Sequence, residues 1–393
     1  MKNQDPSQEH LQSIISLYNA GKLQQALSEA TQMMERFPNS FILYNISGAS
    51  NAALKRFDAA IVSYKQALRI KPDYAEVHNN MGSALSDKGD FEGAIESYKQ
   101  ALRIKPDYAG AYYNMGSVMK DKGDFEGAIK SYKQALRIKP DYAGAYNNMG
   151  NALSSKGDLE EAIESYKQAL RIKPDFAGAY NNMANAMKNK GDLAEAIESC
   201  KQALKIKPDY ADAYYNMANA MKDKGDLAEA IDSYKQALKI KPNYASAYYN
   251  MGNALNEKGN PEVAIDSFKQ AIKIKPDYAL AYNNMGNALS SKGDLEGAID
   301  CYNQAIRIKP DYAEGHCNLG AVLQLLNQSE PALASYEKAI SLKKDFNEAI
   351  SGLGLLLLNK GKHSEGLDKL IQGEGSILFS IKRGFSVKSG GKE

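Results

Sequence analysis

Apolar positions along this chain recur in two alternating helical registers. In residues 143–156, "AGAYNNMGNALSSK", Tyr146, Met149, Ala152 and Leu153 fall three or four residues apart, the spacing of one helix face. In residues 159–172, "LEEAIESYKQALRI", Ile163, Tyr166, Ala169 and Leu170 repeat that spacing. Gly157 stands after the first helix, where positive φ is cheap only for Gly. Asp158 then predicts an N-cap, and Glu161 three residues later would complete a capping box. At 259–261 the corner reads Gly-Asn-Pro: Asn260 is the expected cap, and Pro261 takes the first helical position, where its missing N–H costs nothing. Pro174 blocks continuation of the second helix, and Asp175 is the expected cap of the next one. No strand is read anywhere.

The helix pair returns at a fixed interval. Prolines 38, 72, 106, 140, 174, 208, 242, 276 and 310 lie 34 residues apart. Length alone would suggest two or three globular domains; the period means a repeat array instead. One helical pair cannot bury its apolar face, whereas stacked neighbours bury it continuously. Residues at particular positions are always small: Gly or Ala at 82, 116, 150, 184, 218, 252, 286 and 320, and Ala at 94, 128, 162 and 196. Close helix approach there leaves room for no more than a methyl group. Large residues such as Tyr98, Tyr132 and Tyr166 alternate with them. Eight regular units cover 75–346, with degenerate units at 7–40 and 41–74 making up 1–74. A degenerate or capping unit covers 347–374, and 375–393 is a basic tail.

Tyr146, Met149, Gly150, Leu153, Ala162, Tyr166, Ala169 and Pro174 carry an aromatic-x-x-apolar-Gly…Ala…Tyr…Ala…Pro pattern. It resembles the tetratricopeptide repeat family over about nine-tenths of the chain. The resemblance implies an all-α, right-handed α-solenoid of about eleven helix-turn-helix units, with the first helix of each lining a concave groove.

On that groove the sixth residue of every regular unit is asparagine: Asn80, Asn114, Asn148, Asn182, Asn216, Asn250, Asn284 and Asn318. The ninth is often asparagine too, at Asn151, Asn185, Asn219, Asn253 and Asn287. Sixth and ninth residues share a helix face, with Tyr113, Tyr215 and Tyr249 among them. Asn is a poorer helix former than Ala by several tenths of a kcal/mol, so its recurrence asks for a compensating role. A primary amide both donates and accepts, which complements a peptide backbone. The pattern is similar to the repeat domain of O-GlcNAc transferases, where a concave asparagine ladder binds extended segments. That resemblance implies the sixth-position asparagines as peptide ligands; no sugar-nucleotide catalytic region has a counterpart here. Bonding between neighbouring repeats is the alternative role for the same amides. A dicarboxylate clamp of the co-chaperone type is unlike this face, because the fifth position is Asn or Tyr (Asn79, Tyr113, Asn147) and the second often Gly (Gly110, Gly144, Gly178).

Composition narrows the function further. A net charge of +2 and 24% charged residues are too balanced for a nucleic-acid or membrane-surface protein. No run reaches the roughly 18 apolar residues of a membrane span, and the N-terminus lacks a signal-peptide layout. Cys200, Cys301 and Cys317 are far apart and odd in number, which fits a reducing cytoplasm. His10, His78, His316 and His363 have no metal-ligand spacing; His78 and His316 replace a repeated aromatic and are assigned to packing. No catalytic residue, metal site or cofactor is read. The expected function is a scaffold for protein or peptide partners, disordered segments included. The alternatives are a substrate-recruiting module of a glycosyltransferase-like system and a structural solenoid that self-associates through its end repeats. The tail is expected to be a frayed end after a capping helix, or to dock Ile377, Leu378, Phe379 and Ile381 on the last repeat or a partner, or to be the start of a further domain.

Overall fold

A computed structural model describes residues 5–374 and the backbone of 377–380 and 384–387. The chain divides into two compact units, Met1–Ile206 and Lys207–Glu393. The first holds α1 (Gln8–Asn19), α2 (Leu23–Arg36), α3 (Phe41–Ala53), α4 (Phe57–Ile70), α5 (Ala75–Lys88), α6 (Phe91–Ile104), α7 (Ala109–Asp121), α8 (Phe125–Ile138), α9 (Ala143–Lys156), α10 (Leu159–Ile172), α11 (Ala177–Lys190) and α12 (Leu193–Ile206). The second holds α13 (Ala211–Lys224), α14 (Leu227–Ile240), α15 (Ala245–Glu257), α16 (Pro261–Ile274), α17 (Ala279–Ser291), α18 (Leu295–Ile308), α19 (Ala313–Leu325), α20 (Ser329–Leu342), α21 (Asn347–Asn359) and α22 (His363–Glu374). Each odd-numbered helix pairs with the even-numbered helix that follows it, and within each unit that helix packs on the next hairpin. The fold is therefore an all-α solenoid of eleven helical hairpins among the described residues.

The small positions work as the spacing predicts. Ala94, Ala128, Ala162 and Ala196 are fully buried. A Cβ placed on Gly150 would lie 2.6 Å from the Tyr166 ring, and one on Gly82 would lie 2.7 Å from Tyr98. Glycine thus lets the large aromatic of the second helix lie flat on the backbone of the first. The core runs along each unit as a series of clusters that each span neighbouring hairpins: Tyr132, Met149, Leu153, Ile163, Tyr166 and Met183 belong to one cluster of the first. Tyr234, Met251, Leu255, Ile265 and Phe268 belong to one of the second.

The odd-numbered helices also approach each other directly. In the first unit α3, α5, α7, α9 and α11 touch in succession; in the second α13, α15, α17, α19 and α21 do. No even-numbered pair packs comparably among the described residues. Within each unit the odd-numbered helices therefore form one contiguous helical surface.

The corners differ from expectation in an instructive way. Gly157 follows α9 with φ +97°, as a left-handed C-cap should. Asp158 begins α10, but its side chain caps nothing and no capping box with Glu161 forms. It pairs instead with Lys156, Nζ to Oδ2 2.9 Å; Asp226 does the same with Lys224. Asp90, Asp124 and Asp294 do cap, accepting from the backbone N–H of Gly93, Gly127 and Gly297. The difference lies three residues on. A Cβ at Gly93 would sit 2.6 Å from the Asp90 carboxylate, so glycine there lets the carboxylate lie over the N–H. Glu161 and Glu229 at the equivalent positions do not. Asn260 and Asp175 likewise make no side-chain cap: α16 starts at Pro261 as expected, but Asn260 does not accept from it, and the residue before α11 is Phe176.

Beyond α22, β1 (Ile377–Ser380) and β2 (Gly384–Val387) form an antiparallel hairpin in which Ile377 faces Val387 and Ser380 faces Gly384. The sequence reading contained no strand, because "ILFS" and "GFSV" are too short to show a period; their β-branched and aromatic content was the available signal. The expected docking of Ile377, Leu378, Phe379 and Ile381 concerns side chains outside the described residues.

Candidate functional site

The sixth-position asparagines lie half-buried on the odd-numbered helices. Their amide nitrogens reach backwards into the preceding hairpin. In the first unit Asn80 Nδ2 donates to Asn45 Oδ1 at 3.5 Å and Asn114 Nδ2 to Asn79 Oδ1 at 3.1 Å. Asn148 Nδ2 donates to the Tyr113 hydroxyl at 2.9 Å and Asn182 Nδ2 to Asn147 Oδ1 at 3.1 Å. In the second unit Asn250 Nδ2 donates to the Tyr215 hydroxyl at 3.0 Å and to Asn219 Oδ1 at 2.9 Å. Asn284 Nδ2 donates to the Tyr249 hydroxyl at 3.1 Å and to Asn253 Oδ1 at 2.8 Å. Asn318 Nδ2 donates to Asn283 Oδ1 at 3.0 Å and to Asn287 Oδ1 at 3.2 Å. Asn216 occupies the same half-buried position on α13.

The fifth residue is thus the partner that sequence reading passed over. It is Asn45, Asn79, Tyr113, Asn147, Tyr215, Tyr249 or Asn283, always 35 residues before the asparagine it serves. That constant offset, one repeat plus one residue, was visible in the sequence. Three of the fifth-position asparagines also donate to the sixth of their own helix: Asn79 to Asn80 at 3.5 Å, Asn147 to Asn148 at 3.2 Å and Asn283 to Asn284 at 3.1 Å. Asn79, Asn147, Asn181 and Asn283 are buried. Buried amides demand partners, and the ladder between hairpins supplies them.

The ninth residue has a second task. Asn151 Oδ1 accepts from the Tyr166 hydroxyl at 2.8 Å, Asn219 Oδ1 from Tyr234 at 2.6 Å, and Asn287 Oδ1 from Tyr302 at 2.7 Å. Ser117 receives the Tyr132 hydroxyl in the same way. In these hairpins the core aromatic therefore finds an acceptor at its polar tip. The pairing lapses elsewhere: Tyr64 stands opposite Ala49, and the Tyr336 hydroxyl, opposite Ala321, donates to Gln324 Oε1 at 3.0 Å instead. Cys200 replaces the tyrosine opposite Asn185, which makes no side-chain hydrogen bond among the described residues, and Phe268 replaces the one opposite Asn253. Burial raises the phenols accordingly, Tyr98 and Tyr132 to about 12 and Tyr166 further.

The corner "KPDY" is more than a solvated turn. Lys105 lies 5.0 Å above the Tyr108 ring, Lys139 5.0 Å above Tyr142, and Lys241 4.2 Å above Tyr244, a favourable cation–π arrangement. Ion pairs join the end of one first helix to the start of the preceding second helix, as Lys122 to Glu92 at 2.7 Å. They are exposed, so each contributes about 0–1 kcal/mol. His78 and His316 each donate from Nε2 to a corner carbonyl, of Pro72 and Pro310, at 3.0 and 3.2 Å. Burial lowers the His316 pKa. No helix is long and apolar enough to cross a membrane among the described residues.

A solenoid of stacked helical hairpins with a two-residue signature on its odd-numbered helices defines a helical-repeat class, and comparison gives the family. A family model described as "TPR repeat" matches residues 51–89, 82–123, 116–157, 150–191, 188–225, 218–259, 252–293 and 286–327. A second, "Tetratricopeptide repeat", matches 313–346. The chain belongs to the tetratricopeptide repeat family. No curated protein matches it at a significant level. Among solved structures, MamA is 28% identical with a TM-score of 0.40, over 42% of this chain and 97% of that one. YrrB, described as "a TPR protein with an unusual peptide-binding site", is 24% identical with a TM-score of 0.40, over 48% and 96%. Yeast Tom70 is 16% identical with a TM-score of 0.47, over 93% and 91%.

Proposed function

We propose that this chain is a non-enzymatic scaffold that binds extended protein segments along the concave helices of its units, through backbone contacts from the sixth- and ninth-position asparagines. One observation carries the reading. After the bonds between hairpins are made, polar atoms remain open on the same face: Oδ1 of Asn114 and Asn250, and Nδ2 of Asn151, Asn185, Asn219, Asn253 and Asn287 have no protein partner among the described residues. A backbone offers one carbonyl and one N–H per residue, so such a face holds a chain with little regard to its side chains. The ladder bonds fix the orientation of each amide before a ligand arrives, and preorganisation raises affinity.

Asparagine at all eight sixth positions also favours a second reading, recruitment of substrate to a separate glycosyltransferase-like chain, as the resemblance to O-GlcNAc transferase repeats implies. Three free, buried thiols support a reducing, cytoplasmic setting.

The test is fluorescence anisotropy with a panel of unrelated, unstructured peptides, on the parent chain and on Asn253→Ala with Asn287→Ala. It is run at a temperature where circular dichroism shows the variant fully folded, since between them the two residues also accept bonds from Asn284, Asn318 and Tyr302. Several sequences should bind, and the variant should weaken all of them by roughly fivefold to a hundredfold, the loss of two hydrogen bonds. Unchanged binding would remove the amides from the site. Stable co-purification with a catalytic chain would favour the second reading.

A further inference from the structure

We propose that the concave face of the second unit selects polyproline II segments, proline-rich peptides, over other extended chains. The inference rests on the peptide-binding reading above and names the class of ligand.

The first argument is an inventory of open hydrogen-bonding atoms on α13, α15, α17 and α19. The Tyr215 and Tyr249 hydroxyls each accept from an asparagine, at 3.0 and 3.1 Å, and have no acceptor for their own protons among the described residues. Nδ2 of Asn219, Asn253 and Asn287 is equally open, because every bond of these residues is accepted at Oδ1. Against these donors stand the open Oδ1 atoms of Asn250 and Asn318; Oδ1 of Asn284 already accepts from Asn283. Among the amides and phenols of this face, open donors outnumber open acceptors. It suits a ligand that offers carbonyl groups and few N–H groups. Proline keeps its carbonyl and has no N–H, so a proline-rich segment presents that balance.

The second argument is the period. Adjacent odd-numbered helices touch, and packed helices lie about 8–10 Å apart. A polyproline II helix has three residues per turn at about 3.1 Å each, roughly 9 Å. One ligand turn therefore matches one repeat, and each repeat meets the same face of the ligand. A β-strand turns its face every residue; three residues on, it would present the opposite side.

The third argument is the aromatic lining. Tyr215 packs on Tyr244 at 4.9 Å and Tyr249 on Tyr278 at 5.0 Å, both tilted. Lys241 and Lys275 lie 4.2 and 5.1 Å from the centroids of Tyr244 and Tyr278. Tyr215 and Tyr249 are half-buried on this face. Fixed aromatic rings with adjacent donors are what recurring readers of proline-rich segments present.

The experiment uses the full chain and two fluorescein-labelled peptides of equal length and charge, one alternating proline with alanine, the other with serine in place of proline. Anisotropy should show the proline peptide binding about tenfold tighter or more. Tyr215→Phe with Tyr249→Phe keeps the rings and removes two donors; it should weaken the proline peptide by roughly fivefold to a hundredfold. Should that variant lose its helical circular dichroism, hydrogen exchange on the parent chain decides: the proline peptide should protect α13, α15 and α17. Equal binding of both peptides, tighter binding of the serine peptide, an unaffected folded variant or protection elsewhere overturns selection and leaves the groove reading standing. Binding of neither peptide overturns both.

Discussion

Asn284 Nδ2 lies 3.1 Å from the hydroxyl of Tyr249, 35 residues earlier and one hairpin away. The same nitrogen reaches Asn253 Oδ1. An amide that is a poor helix former on its own helix thus ties two hairpins together.

The consequence for stability is specific. Asn284→Ala gains about 0.5 kcal/mol of helix propensity and loses three bonds, to Tyr249, Asn253 and Asn283, of about 0.5–1.5 kcal/mol each. A net loss of about 1–4 kcal/mol is expected in urea unfolding. Asn185→Ala breaks no side-chain hydrogen bond among the described residues and should be neutral or stabilising by a few tenths. If Asn284→Ala proves the more stable of the two, the amides are not the ties between hairpins.

Phe268 offers the converse experiment. It occupies the site filled by Tyr166, Tyr234 and Tyr302 in other hairpins, and Gly252 meets it as Gly150 meets Tyr166. Opposite it, Asn253 Oδ1 accepts from Asn284 alone. Asn219 and Asn287 show that this oxygen can take a second donor. Phe268→Tyr should therefore add about 0.5–1.5 kcal/mol, read as a higher urea midpoint. A lower midpoint would mean that the hydroxyl is buried without its partner.

How much of this was legible beforehand follows from scale. The hairpins were readable because Pro, Gly and Ala recur at fixed places, and α9 was expected over the residues it occupies. The asparagine face was readable as a row. Its bonding was not, because the partner of Asn148 is Tyr113 in one hairpin and that of Asn182 is Asn147 in the next: two chemistries fill one role, and a motif search sees only the variation. The capping box failed for a local reason. Whether Asp158 caps depends on the Cβ three residues on, a steric detail finer than the preference for Asp before a helix.

Stability at high pH should follow the core tyrosines. Tyr98 and Tyr132 are buried, and burial raises them to about 12 from the ordinary value near 10. A raised folded pKa means that their contribution is complete below pH 10, where the unfolded phenols are neutral. It is lost as pH climbs from about 10 to 12 and the unfolded chain alone releases protons. The urea midpoint should be flat up to about pH 9.5 and fall steeply above pH 10. A midpoint still flat at pH 11.5 would contradict the burial of these phenols.

The cysteines provide a clock for opening of the array. Cys200 is fully buried and its thiol is pushed up to about 12. Cys301 and Cys317 are pushed up to about 11, with burial the largest cause in each. The thiolate is the reactive form. At pH 8 a thiol at 11 is about a thousandth ionised and one at 12 about a ten-thousandth, against roughly a quarter for a free cysteine near 8.5. A disulfide reagent such as 5,5′-dithiobis(2-nitrobenzoic acid) should therefore react at least a hundredfold more slowly with the native chain than with the chain in denaturant. What reaction there is should proceed through local opening, so its rate should rise with urea well below the unfolding midpoint. Peptide mapping should find Cys301 and Cys317 labelled ahead of Cys200, which has no exposed surface and the higher pKa. Rapid labelling of Cys200 in native buffer would show that α12 does not close against its neighbours, and the core packing described for that hairpin would be wrong.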